Sequence, residues 1–156
     1  MGASDTRTAA AELLIEDFAT VLGQTMGWSP TTGRTAGVLL LSGEPMTARQ
    51  LQAEVGASAG AMSEITRLLI TNGVVHRFKQ EGARHYVHQW RADAWVGCLE
   101  HQLAQVRRLR DLAHRTEASS DGLPALQQER LGQMAAYYDF MVARLTSLLE
   151  DYRARL

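Results

Sequence analysis

Short hydrogen-bonding side chains cluster in one segment of the chain, and their types and spacing suit contact with a nucleic acid. If residues 59–72 form a helix, its exposed face carries Gly60, Ser63, Glu64 and Arg67, and Ser58 precedes it. Small residues allow a helix backbone to approach a surface closely. Hydroxyl, carboxylate and guanidinium groups supply the donors and acceptors that contact base edges and phosphates. The segment therefore predicts a helix that lies in the major groove of DNA.

A second group of polar side chains follows shortly after this segment. Lys79 and Arg84 flank the turn 80–82, which separates two segments with strand character, 74–79 and 84–88. At the tip of a hairpin these cations would reach phosphates or a minor groove, although they are also explained as solvated charges on a turn. Thr47 and Arg49, at the start of the preceding helix, complete the set of candidate DNA contacts.

Helix signals place these side chains in a helix-turn-helix. Thr47 and Gln50 form a capping box that opens one helix, and Gly56 ends it. Ser58 caps the next helix, which ends at Gly73. The second helix of such a pair enters the major groove with its N-terminal half against the bases, and the following hairpin forms a wing.

Four further helices are predicted around this unit. They cover residues 8–23, 30–42 (with Ser29 as the cap and Pro30 at the first position), 94–116, and the segment from Pro124 onward. In the first of them, one stripe is formed by Leu14, Phe18 and Val21, joined by Ile15 and Leu22. In the last, apolar residues recur with 3-4 spacing at Leu131, Met134, Tyr138, Met141, Leu145, Leu148 and Tyr152. Such a seam predicts pairing into a homodimer, assisted by the 8–23 helix.

The predicted fold class is therefore mainly α-helical with a small β-hairpin wing. A winged helix-turn-helix is flanked by N- and C-terminal dimerisation helices. Residues 1–28 are expected to form an N-terminal dimerisation helix, residues 29–92 the DNA-binding domain, and residues 93–156 a C-terminal dimerisation region.

Composition agrees with a globular protein, and the distribution of charge agrees with a DNA-binding one. The net charge is only −1, but residues 34–91 hold seven basic and four acidic side chains. No apolar run is long enough to predict a membrane span, and the first residues lack a signal-peptide core. With a single cysteine that cannot form an internal disulfide, these features predict a cytoplasmic protein with no membrane partner.

Other chemistries find little support in the sequence. No motif of a hydrolase, a nucleotide-binding loop or a metalloprotease is present, so an enzyme is not expected, and no cofactor is predicted. Cys98 and His101 have a spacing that places two ligands on one helix face, but nothing nearby completes a metal site. Trp28, Trp95 and Tyr137 are candidates for an effector pocket, and packing is the alternative explanation.

Residues 26–88 resemble the MarR-type winged-helix regulators, and in particular the GbsR-like branch of that family. The resemblance rests on the segments Met26–Arg34, Asn72–Val75 and Gly82–Tyr86, together with Ser58, Ser63 and Arg67. It implies a dimer that represses or activates nearby genes, often under control of a small-molecule effector. It also implies that Ser58, Gly60, Ser63 and Arg67 occupy recognition-helix positions and that Arg84 is the wing arginine.

Two positions depart from that pattern. Ala59 stands where such helices often carry a lysine, and Glu64 adds a negative charge that would accept a hydrogen bond from a cytosine amino group.

The sequence as a whole favours a sequence-specific regulator that binds an inverted-repeat operator as a homodimer. The alternative is a winged-helix protein-interaction module with no role at DNA.

Overall fold

A computed structural model describes residues 8–156, which fall into two compact units. The first ends at Ala92 and the second runs Asp93–Leu156. The architecture is mainly helical with one small antiparallel sheet, which confirms the predicted fold class. None of the helices in this part of the chain combines the length and the apolar character needed to cross a membrane.

The described part of the first unit contains four helices, and the last three begin at the residues that their predicted caps indicate. They are α1 (Ala9–Met26), α2 (Pro30–Leu41), α3 (Ala48–Val55) and α4 (Ala59–Thr71). The N-cap side chains of Ser29, Thr47 and Ser58 each accept a backbone hydrogen bond, and the capping box of α3 is complete. Helix α1 is longer than predicted, because Gly23 is helical and buried and the left-handed residue that ends the helix is Gly27, at φ 67°.

The wing belongs to a three-stranded sheet rather than to an isolated hairpin. Strands β1 (Met46–Thr47), β2 (Val75–Lys79) and β3 (Tyr86–Trp90) pair antiparallel in the order β1-β3-β2. One expectation was therefore wrong, because the second wing strand lies two residues later than the predicted segment 84–88, which leaves Arg84 in the loop.

Side chains from every element of the helix-turn-helix fill the core of the first unit. Leu39, Leu51, Met62, Leu69 and Val75 are among the fully buried residues. Leu68 of α4 is 37% exposed and borders an open cavity.

Helices α1 and α2 are in unusually close contact. A Cβ on Gly33 would lie 2.7 Å from the backbone oxygen of Phe18. The buried face of α1 is Ile15, Ala19 and Gly23, so of the predicted stripe Ile15 is buried, whereas Leu14 and Val21 are exposed. Because small residues make this contact, the larger apolar side chains of α1 are left at the surface.

The second unit is an antiparallel helical hairpin of α5 (Ala94–Ala118) and α6 (Ala125–Arg153). Its register is marked by an ion pair between Arg153 and Glu100, and by a contact of 2.8 Å between His114 Nε2 and Asp139 Oδ1. The buried α6 residues are Ala135, Val142 and Leu149. The predicted apolar seam of α6 is therefore displaced from the face of the helix that is buried. Its residues are only partly covered within the chain, and Leu148 is 49% exposed.

The helix contact predicts opposite effects for two glycine-to-alanine substitutions. Gly33→Ala should lower the free energy of unfolding by about 1–3 kcal/mol, because the added methyl meets backbone atoms that cannot move aside. Gly60→Ala, where an added Cβ meets nothing within 4 Å, should instead stabilise α4 by roughly 0.5–1 kcal/mol. Urea unfolding followed by circular dichroism measures both, and equal stability of the two variants would contradict the contact.

Candidate nucleic-acid interface

A groove of about 840 Å³ lies between α3, α4 and one face of the sheet. Its lining contains five permanent cations and no carboxylate: Arg49, Arg67, Arg77, Lys79 and Arg84. None of the five forms an ion pair with any residue in the described range, 8–156. A groove with this concentration of unneutralised positive charge suits a polyanion.

Helix α4 presents different residues to two sides. Ser63 and Arg67 line the basic groove, together with Ala59 and Ile70. Glu64 lies one residue beyond Ser63, about 100° further round the helix, and borders a separate cavity. The carboxylate predicted among the DNA contacts is therefore on the flank of α4 away from the wing.

The start of α4 leaves its backbone open to an approaching surface. Ser58 accepts a hydrogen bond from the backbone N–H of Ala61 at 3.2 Å, which fixes the first turn. Gly60 is exposed, with no neighbour within 4 Å of an added Cβ. On the inner side Thr66 donates to the carbonyl of Met62 at 2.9 Å, so its hydroxyl is satisfied within the helix. Gly60, Ser63 and Arg67 remain exposed along the outer ridge.

The two candidates at the start of α3 differ in availability. Thr47 lines the groove, but its hydroxyl is engaged in the capping box, where it accepts from the Gln50 N–H at 3.2 Å. Arg49 is exposed, and its side chain borders the groove. Of this pair, Arg49 is the better placed to contact a ligand.

His88 lies at the centre of the sheet and on the wall of the groove. It is 4% exposed, pairs with Met46 on β1 and Arg77 on β2, and its Nδ1 has no hydrogen-bond partner in the described structure. Burial lowers the pKa of His88 below 6.5, the Met46 backbone opposes that shift, and the Arg77 charge adds to it. The imidazole is therefore held neutral in the folded wing.

Comparisons with known proteins agree with this architecture. Residues 93–155 match the family described as MmpR5-like MarR family transcriptional regulator. The chain is 26% identical over 164 residues to the HTH-type transcriptional repressor OpcR of Bacillus subtilis (strain 168), a match that covers 91% of this chain and 85% of that protein. The matches support a transcriptional regulator of the MarR type.

A solved structure shares the fold of nearly the whole chain. The crystal structure described as that of a transcriptional regulator superposes with a TM-score of 0.85 at 22% identity, and covers 93% of this chain and 99% of that one. The family match falls on the helical hairpin of the second unit, whereas the resemblance noted in the sequence falls on residues 26–88. The two observations thus concern different parts of the chain.

The three residues predicted for an effector pocket are not brought together within one unit. Trp28 lines a cavity of about 540 Å³ bordered by the α1–α2 and α3–α4 turns and by one flank of α4. Trp95 and Tyr137 lie in the second unit, 54% and 55% exposed. His114 on α5 pairs with Asp139 on α6, so Tyr137 lies close to the level of His114. Trp95 and His114 are about 28 Å apart along α5, at a helical rise of about 1.5 Å per residue.

The remaining candidate positions have ordinary packing partners. Gln102 donates to the Cys98 sulfur at 3.7 Å, and the His101 ring is 2.7 Å from the Gln105 amide. Within residues 8–156 no group of three or more histidine, cysteine or acidic side chains is arranged to hold a metal ion.

The sequence analysis missed several residues of the groove, chiefly Arg77, His85, Tyr86 and His88. Arg77 and Lys79 are alternate residues of β2, so both side chains lie on the same face of the sheet. Their pairing partners on β3, His88 and Tyr86, lie on that face as well. Strand alternation alone identifies Arg77 as a neighbour of Lys79. Tyr86 and His88 lie in the predicted strand 84–88, and the same alternation places them on one face with Arg84.

The buried imidazole predicts a pH dependence of stability. Because the folded pKa of His88 is below 6.5, its contribution is fully present above pH 6.5. It is lost as the pH falls below that value, where the unfolded chain binds a proton that the folded chain does not. Replacement by glutamine (His88→Gln) should remove this part of the pH dependence, whose slope is at most about 1.4 kcal/mol per pH unit for one proton.

Thermal or urea unfolding between pH 5 and 8 measures the difference between wild type and variant. The matched control is His85→Gln, which alters an exposed histidine of the same wing. If the two variants show the same pH profile, His88 is not held neutral by its surroundings.

Proposed function

We propose that this protein is a sequence-specific DNA-binding repressor that acts as a homodimer on an inverted-repeat operator. The observation that carries the proposal is the groove beside α4, with five cations and no carboxylate in its lining. Repression, rather than activation, is favoured by the similarity to a protein described as a transcriptional repressor. A regulator of this kind works in the cytoplasm, where bacterial-type operators lie.

Base recognition is assigned to the outer ridge of α4 and phosphate contact mainly to the wing. Ser63 and Arg67 line the groove side, whereas Glu64 reaches bases only on the other flank of the helix, where a cytosine amino group is its natural partner. Lys79 and Arg84, on the strand end and the loop of the wing, suit phosphates or groove shape.

Homodimerisation is supported by the apolar side chains that both units leave exposed. These include Leu13, Leu14 and Val21 on α1, and Tyr137, Phe140 and Leu148 on α6. Monomeric proteins rarely expose so many large apolar side chains on neighbouring turns. Two copies related by a two-fold axis would place their α4 helices in successive major grooves, with half-site centres roughly 10 base pairs apart or a multiple of that.

Control by a small molecule is proposed to act at the Trp28 cavity. This cavity, of about 540 Å³, touches both helix-turn-helix segments. The resemblance of residues 26–88 supports a place in the GbsR-like branch, whose members often have effectors.

Three alanine variants test the proposed DNA reading. Arg84→Ala should weaken binding to all sequences by a similar factor and reduce the slope of log affinity against log salt by about one. Ser63→Ala and Glu64→Ala should change the preference at one or two positions in each half-site, by roughly 1–3 kcal/mol where a good contact is lost.

Fluorescence anisotropy on a selected operator, a mutated operator and random duplex gives all the required affinities. Wild-type binding that does not weaken with salt would show that phosphates are not contacted, and would favour a protein-interaction module. If neither helix variant changes the ranking of sequences, α4 is not the reading helix.

Dimer formation is tested by placing a charge on the exposed apolar faces. Leu14→Glu and Leu148→Glu alter side chains that are 47% and 49% exposed, so each chain should still fold, but the dimer should dissociate. The matched control is Gln24→Glu, which adds the same charge at an exposed polar position of α1. Sedimentation velocity reports the result, and wild-type mass for both leucine variants would place the interface elsewhere.

A further inference from the structure

We propose that Arg77 is a principal DNA contact of the wing and that Tyr86 is the residue that positions it. This inference rests on the proposed DNA-binding function and adds a contact to it. Neither residue was among the contacts expected from the sequence. The assignment follows from how two cations and one ring are arranged on a single sheet face.

Strand register places the three side chains together. Lys79 pairs directly with Tyr86, and Arg77 pairs with His88 two residues further along, so all four side chains lie on the same face of the sheet. The guanidinium carbon of Arg77 is 3.7 Å from the centroid of the Tyr86 ring, and the Lys79 ammonium nitrogen is 5.0 Å from the same centroid. One aromatic ring therefore contacts two cations.

The ring takes the place that a carboxylate has in an ordinary surface ion pair. Neither Arg77 nor Lys79 has an acidic partner within residues 8–156, and all three side chains are exposed. An ion pair would have to break before a cation met a phosphate. A cation–π contact leaves the charge in place, and a guanidinium over a ring face keeps its N–H edge directed outward for two hydrogen bonds.

Positioning also lowers the entropic cost of binding. A free arginine side chain loses rotamer freedom when it grips a phosphate or a guanine edge, whereas one already held on a ring has lost part of that freedom beforehand. Holding two like charges beside one ring is unfavourable in the free protein, and a DNA phosphate would relieve that repulsion. The arrangement therefore favours the DNA-bound state without a conformational change.

The inference separates the role of charge from the role of the ring. Arg77→Ala should weaken DNA binding and reduce the salt slope by about one, because one phosphate contact is lost. Tyr86→Ala should weaken binding by about two- to fivefold with the salt slope unchanged, because both cations remain but are no longer held. Tyr86→Phe keeps the ring face and should restore wild-type affinity.

The experiment is a double-mutant cycle between Arg77 and Tyr86, measured by anisotropy on the selected operator and on random duplex at several salt concentrations. In the Arg77→Ala background, Tyr86→Ala should cause a clearly smaller loss than in the wild type. Arg77→Lys should keep the salt slope but lose affinity, because lysine lacks the planar fork. The matched control, Arg107→Ala, removes an exposed arginine of α5 outside the groove and should leave affinity unchanged.

Failure of this inference is distinguishable from failure of the proposed function. If the wild-type protein shows no salt-dependent DNA binding, the proposed function fails, and this contact fails with it. If the wild type binds and Arg67→Ala weakens binding, but Arg77→Ala matches Arg107→Ala, only the Arg77 contact is wrong. If Tyr86→Phe restores the melting temperature but not the affinity, the hydroxyl rather than the ring face is responsible, and Tyr86 is not a positioning residue. If Tyr86→Ala causes the same loss in the Arg77→Ala background as in the wild type, Tyr86 does not act through Arg77.

Discussion

The short pairing of β1 with β3 ties the wing to the helix-turn-helix, and the shape of the basic groove depends on it. Met46 pairs with His88 and Thr47 with Val87. Thr47 is also the N-cap of α3, so one residue is shared by the sheet and the first helix of the pair. The wing therefore cannot move away from α3 without breaking either the strand pairing or the capping box. Helix α4 follows α3 after a short turn at Gly56, and so the two sides of the groove are held together.

The same sheet explains how a chain of net charge −1 presents a strongly basic surface. The groove collects cations from α3, α4, β2 and the wing loop, while the carboxylates of these segments lie outside its lining. A buried imidazole in the middle of such charges would be unfavourable if protonated. Burial and the neighbouring Arg77 both lower the pKa of His88, so the centre of the sheet stays neutral beneath a charged rim.

Much of this arrangement was predictable from local signals, and the misplaced parts have physical causes. Caps are local, so the starts of α2, α3 and α4 agree with Ser29, Thr47 and Ser58. A two-residue strand such as Met46–Thr47 has no periodicity to detect, because only its partner makes it a strand. The stripe of α1 was displaced because glycine and alanine make the close contact with α2, and residues of low hydrophobicity do not stand out in an apolar pattern. In α6 the apolar residues cover more than one face, so spacing alone did not show which face packs against α5.

Helix α4 joins the two parts of the proposed mechanism because it borders two cavities at once. Ser63 and Arg67 line the basic groove, while Ser58, Glu64 and Leu68 line the Trp28 cavity on the opposite flank. Any occupant of that cavity touches the helix proposed to read DNA, and it does so beside the N-terminal turn that is proposed to meet the bases. Such an occupant changes DNA affinity only to the extent that it binds one placement of α4 better than another. Since Glu64 borders the cavity and is exposed at the same time, a change in its position alters both the cavity and the charge on that flank of α4. The proposed control of DNA binding therefore requires no long pathway, because one helix carries both surfaces.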